Sequence, residues 1–187
     1  MAVVAAPARS ALARVAAMAS LAAVADVALV LRIGWTPALP AYLFLGAICA
    51  VVSVMDVSSR RIPNRVVLPA YAIGGCLLVV AAASDDAWTA LVRAAFAMAV
   101  LGGFYLLLAL AFSGQMGFGD VKLAGLLGLF LGFRGWPAVT TGALLASLFG
   151  ALGAACRHGL GGASGKATIA FGPYLCLGAL VAVLLVR

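Results

Sequence analysis

The chemistry open to this chain is set by a short list of side chains. All five acids are aspartates (Asp26, Asp56, Asp85, Asp86 and Asp120), and glutamate is absent. There is one histidine, His158, and four cysteines, Cys49, Cys76, Cys156 and Cys176. The cysteines form no CxxC pair and lie in or beside apolar runs, where they read as small buried hydrophobes. Metal ligands would have to come from scattered segments, so no metal site is expected. His158 follows Arg157 in a basic, Gly-rich stretch and reads as solvated. What remains is the carboxylates. Asp56 closes one apolar run, and Asp120 opens another after Gly117-Phe118-Gly119. Acids that border or enter membrane spans are functional candidates by default.

Two carboxylates brought close together cannot both ionise easily, so one keeps a proton and the pair titrates as a unit. The ionised partner can then take a proton from water while the protonated one polarises a peptide carbonyl. Such chemistry needs no nucleophilic serine or cysteine, no metal and no histidine, which suits this composition. Gly117 and Gly119 lack Cβ atoms and would let an extended peptide approach the backbone beside Asp120. The competing reading of Asp120 is a helix cap. For both acids it is a pair of loop aspartates that cap helices and pair with Arg60 or Lys122. Asp26 lies inside an apolar run, where it would pair with Arg32 or face a polar pocket. Asp85-Asp86 reads as a solvated turn.

The elements that must position these acids are membrane spans. Of the 187 residues, 66% are hydrophobic and 9% charged, with a mean hydropathy of +1.23. A soluble domain of this size leaves roughly a third of its surface exposed and could not hide so much apolar area. A soluble enzyme and a disordered chain are both excluded. At ~20 residues per span plus short loops, the chain is predicted to be an all-α polytopic bundle of about seven transmembrane helices (six to seven). The expected spans are 13–33, 41–55, 66–83, 88–112, 121–133, 138–155 and 168–186, in a single domain over 1–187. The first is expected to be a retained span rather than a cleaved signal peptide, because Asp26 and Arg32 interrupt it. Trp35, Trp88 and Trp136 mark interfaces. Pro63 breaks the chain between spans 2 and 3, and Pro173 suits a first helical turn.

The net charge of +7 has no basic run with interleaved aromatics, so nucleic acid is not expected as a partner. It reads instead as a topology signal. A cytoplasmic N-terminus gathers Arg9, Arg14, Arg60, Arg61, Arg65, Lys122, Arg157 and Lys166 inside and leaves Arg32, Arg93, Arg134 and Arg187 outside. That topology puts Asp56 and Asp120 on the same, cytoplasmic, face. The arginines at 60, 61 and 65 would also attract anionic lipid.

Three blocks then carry a resemblance. Gly117-Phe118-Gly119-Asp120-Val121-Lys122-Leu123 resembles the GxGD-x-K-L signature of type IV prepilin leader peptidases. Asp56 followed by Ile62-Pro63-Asn64 is similar to that family's first aspartate block. Ala170-Phe171-Gly172-Pro173-Tyr174 with Gly178 is similar to its C-terminal block at the start of the last span. A lone GxGD is weak; three blocks in order, over about residues 50–180, are specific. The resemblance implies a membrane aspartic endopeptidase without a cofactor. It would clip basic leaders from prepilins or pseudopilins at the cytoplasmic face of the cell membrane. Asp56 and Asp120 would be the catalytic pair, supported by Gly117, Gly119, Lys122, Ile62, Pro63, Asn64, Gly172 and Pro173. Larger members carry an N-terminal cytoplasmic domain, often with paired cysteines, tied to N-methylation of the new terminus. No such domain is legible here, so the short peptidase-only form is expected, without S-adenosylmethionine.

Two other classes compete. A signal-peptide-peptidase-like protease also uses GxGD, but usually holds its first Asp within a span and lacks an Ile-Pro-Asn block. A small transporter or assembly scaffold would relay protons through aspartates, and Asp26 would then matter more than Asp56.

Overall fold

The computed structural model describes residues 5–59, 62–111, 117–159 and 171–186. Its elements are α1 (Ala5–Ile33), α2 (Leu39–Ser59), α3 (Asn64–Asp85), α4 (Trp88–Ala111), α5 (Phe118–Arg134), α6 (Trp136–Gly159) and α7 (Gly172–Leu185). Five of them (within α1, and α2, α3, α4 and α6) are long and apolar enough to cross a membrane. The chain is a multi-pass helical membrane protein.

Several boundaries differ from the sequence reading. The second span, expected over 41–55, runs on as α2 to Ser59. Ser58 and Ser59 hydroxyls fold back onto the Val54 and Met55 carbonyls, so polar residues finish the helix instead of leaving it. Likewise α5 begins at Phe118, and Gly119 and Asp120 belong to its first turn rather than to a loop. An acid there sits favourably at the positive end of the helix dipole. α6 runs on through 157 and 158 to Gly159. α7 opens at Gly172, later than the expected 168; residues 168–170 lie outside the described residues. So do Arg60, Arg61, Lys166 and Arg187, and the side chains of Arg9, Arg14, Arg157 and His158.

α5 is the centre of the bundle. It is buried without interruption from Leu123 to Gly132 and packs against α2, α3, α4, α6 and α7. Its glycines allow the closest approach, to α4. A Cβ on Gly128 would stand 2.7 Å from the Ala97 carbonyl oxygen, and one on Gly132 would stand 2.8 Å from Ala94 Cα. Small residues spaced in this way replace hydrophobic drive between helices, which lipid removes. Hydroxyls from neighbours grip its backbone: Tyr71 donates to the Lys122 carbonyl (2.7 Å) and Tyr42 to the Phe130 carbonyl (3.2 Å). α6 and α7 use the same device, since a Cβ on Gly178 would stand 2.8 Å from the Gly142 carbonyl oxygen.

Pro63 caps α3 with extended backbone, and its carbonyl accepts from Val66 (3.0 Å). Pro173 lies in the first turn of α7, where its missing N–H costs nothing. Asp86 takes the left-handed conformation (φ 51°) that ends α3, and the exposed Asp85-Asp86 pair is the expected turn.

Candidate active site

The site forms where α2 ends and where α3, α5 and α7 begin. Asp56 and Asp120 are the buried charged side chains among the described residues, 4% and 8% exposed. Both line one cavity of about 440 Å³, together with Ile62, Pro63, Asn64, Gly117, Phe118 and Gly119. Residues from the first two sequence blocks therefore meet around one space. Phe118 was absent from the expected site. Its signal was its place between two glycines, where a side chain adjoining Asp120 must enter the cavity or solvent.

Asp56 is fixed from across the bundle. The first N–H of α7, at Gly172, donates to Asp56 Oδ2 at 2.9 Å. That bond uses one of the orphan amides of a helix N-terminus. It also needs glycine, because a Cβ at residue 172 would stand 2.8 Å from the same oxygen. Pro173 does not line the cavity; it shapes the turn that presents Gly172. Asp120 is set by its own helix start, where its N–H donates to the Gly117 carbonyl at 3.0 Å.

The two blocks also lock together directly. A Cβ on Gly119 would stand 3.0 Å from Ile62 Cβ, so Ile62 can lie over the start of α5 only because residue 119 is glycine. Lys122 Nζ donates to Asn64 Oδ1 at 2.8 Å and ties α5 to the first residue of α3. Lys122 thus bonds an amide of the neighbouring helix. Arg65 and Lys122 both lie in the helix starts at this end.

The remaining candidates lie elsewhere. Arg32, offered as a partner for Asp26, donates from Nε to the Leu184 carbonyl at 2.5 Å. Asp26 Oδ1 is buried against Gly46 of α2 without a hydrogen bond. Cys49 and Cys176 are buried as expected, but Cys76 and Cys156 are exposed on outer faces. In a membrane that exposure is toward lipid or headgroups, so an apolar run does not imply burial. Among the described residues, no cluster of three or more His, Cys, Asp or Glu side chains is gathered.

The model of the type IV leader peptidase family matches residues 43–155. No curated protein and no solved structure matches the chain. The matched interval runs from α2 into α6 and contains both buried acids and the two segments interlocked around them. More than half of the sequence fits one family pattern, and the cavity draws its lining from inside that interval. The chain belongs to the type IV leader peptidase family.

Proposed function

We propose that this peptidase is an aspartic endopeptidase that removes the short leader of type IV prepilins or prepilin-like proteins at the cytoplasmic face of the cell membrane. The observation that carries this reading is the cavity itself: two buried carboxylates from different helices line one space, and among the described residues its lining holds no serine, cysteine or histidine. In this reading Asp56 and Asp120 share a proton around a water. The ionised carboxylate takes a proton from the water as it attacks the scissile carbonyl, and the protonated one donates to the carbonyl oxygen. Collapse of the hydrated carbonyl returns a proton to the leaving amine. Gly117 and Gly119 leave room for an extended chain. Ile62, Pro63, Asn64, Lys122, Gly172 and Pro173 hold the carboxylates and the mouth in place.

The cytoplasmic side is supported by the sequence distribution of Lys and Arg: the expected topology assigns Arg9, Arg14, Arg60, Arg61, Arg65, Lys122, Arg157 and Lys166 to the site side and only Arg32, Arg93, Arg134 and Arg187 to the other. No cofactor enters the scheme. The partners are the pilin-like substrate and the lipid around the bundle.

The test is co-expression with a prepilin whose leader ends in glycine before an apolar segment, with the product mass as readout. Cleavage after that glycine by the wild type, lost in Asp56→Asn and in Asp120→Asn with insertion intact, is the expected result. A single variant that still cleaves refutes the paired mechanism. A folded wild type that cleaves no pilin class, but cuts an intact signal-peptide substrate, would move the protein to that class.

A further inference from the structure

Tyr105 of α4 is 1% exposed, and its hydroxyl makes no hydrogen bond. An unpaired buried hydroxyl is costly, and phenylalanine would fill the same ring pocket without that cost. The residue also stands between the two elements that hold the carboxylates. Its ring lies 6.1 Å from that of Phe171, the residue that caps α7 just before the Gly172 amide held by Asp56. Toward α5, the antiparallel register is fixed by close contacts: Gly132 faces Ala94, Gly128 faces Ala97 and Leu101, and Gly102 faces Gly125. Continued at 1.5 Å per residue, that register sets Tyr105 level with residues 121 and 122, within one helical turn of Asp120. Ser147 of α6 is the other polar neighbour, and its hydroxyl donates to the Ala143 carbonyl at 2.9 Å.

We propose that Tyr105 is a positioning residue of the peptidase site, its phenol O–H the donor that holds the Asp120 carboxylate when substrate fills the cavity. The proposal rests on the aspartic reading above. Tyr105 is absent from the cavity wall and lies outside all three sequence blocks. It acts through Asp120 and does not touch the substrate. A donor already buried and already ordered needs no reorganisation at the moment of reaction.

Two measurements test it, and they fail separately. In the first, prepilin cleavage by Tyr105→Phe should show kcat lowered tenfold or more, KM within twofold of wild type, and a thermal midpoint in detergent that does not fall. A Phe variant with wild-type kcat overturns the proposal, as does one whose loss tracks a fallen midpoint. The second needs no substrate: 3-fluorotyrosine is placed at position 105 and its ¹⁹F resonance followed. The resonance should move in Asp120→Asn and stay in Asp26→Asn. If it moves with Ser147→Ala and not with Asp120→Asn, the hydroxyl belongs to α6 and the proposal falls. If no prepilin is cleaved by the wild type, the proposed function is at fault, and the ¹⁹F arm still decides Tyr105.

Discussion

The two ends of the bundle use the same backbone physics with opposite charge. At the site end, α3, α5 and α7 present their N-termini, and the buried charged groups that meet them are Asp56 and Asp120, with Arg65 and Lys122 at the starts of α3 and α5. At the far end, α5 and α7 present their C-termini, and the charged side chains that bond to them are arginines. Arg93 donates to the Gly132 and Phe133 carbonyls (2.7 and 2.8 Å), Arg134 to Val186 (3.0 Å) and Arg32 to Leu184 (2.5 Å). Both pairings follow the helix dipole and supply partners for orphan backbone groups. The difference lies in what the charge does next. Arg32, Arg93 and Arg134 each have a bond into a helix end. At the site end the carboxylates also face open space, so their charge stays available to a ligand. The lesson is that an arginine read only as a topology signal is also a helix clamp, whereas an acid beside a cavity does more than cap.

Substitutions at the site end should affect rate, and the largest effects come first. Asp56→Asn and Asp120→Asn should each lower kcat/KM by about 10³ or more, since such groups act as a unit, with little change in thermal midpoint. Gly172→Ala comes next. Its new Cβ would press on Asp56 Oδ2 from 2.8 Å and push the carboxylate off the α7 amide. A loss of roughly 100-fold in cleavage is expected, because an ångström-scale misplacement is enough to cost that much. Cleavage at the wild-type rate by Gly172→Ala would show that the α7 amide does not position Asp56. The Lys122–Asn64 link is exposed and should be weaker. Lys122→Met and Asn64→Leu should each slow cleavage about fivefold, roughly 1 kcal/mol. The double variant should be no worse than either single one. Additive losses would separate the two side chains.

These substitutions also mark how far the sequence could be read. The all-α bundle, the seven segments and the shared face of the two acids were all legible. Apolar runs, tryptophans and Lys/Arg placement are properties of single segments. Of the residues the blocks single out, Asp56, Ile62, Pro63, Asn64, Gly117, Gly119 and Asp120 line the cavity together with Phe118, whereas Lys122, Gly172 and Pro173 do not. What was not legible depends on contacts between helices. Asp56 reads as a loop residue until the serines after it are seen folding back onto α2. Gly172 is named as a support by the resemblance alone, and how it supports is seen only when its amide is found on Asp56. Lys122 reads as a partner of an aspartate, but its bond goes to Asn64. Tyr105 carries no sequence signal, because a tyrosine in an apolar span looks like any other aromatic core residue.

Far-end substitutions should reverse the pattern. Arg93→Ala removes two charge-assisted bonds to the last carbonyls of α5. It should cost about 1–3 kcal/mol of stability, within the range for such bonds in lipid, and lower the thermal midpoint. The folded fraction should still cleave at the wild-type rate. Arg32→Ala and Arg134→Ala each remove one such bond and should cost less. A fall in kcat for the folded Arg93→Ala protein would mean that the ends are coupled along α5, the helix that joins them.

The smallest effect is expected from a third acid that belongs to neither end. Asp26 sits within the span of α1, with one oxygen buried and unpaired against Gly46. Asparagine keeps its shape and an acceptor at that contact, so Asp26→Asn should cleave within twofold of wild type. A protein that relayed protons through the membrane would behave differently, because an amide cannot carry the charge. If Asp26→Asn abolished function as fully as Asp56→Asn, the essential acid would lie inside the span and not at the cavity. One buried oxygen therefore does not make Asp26 the equal of the other two acids, since the residue as a whole is only half-buried. Asp56 and Asp120 differ from it in sharing a space large enough for a peptide bond and a water.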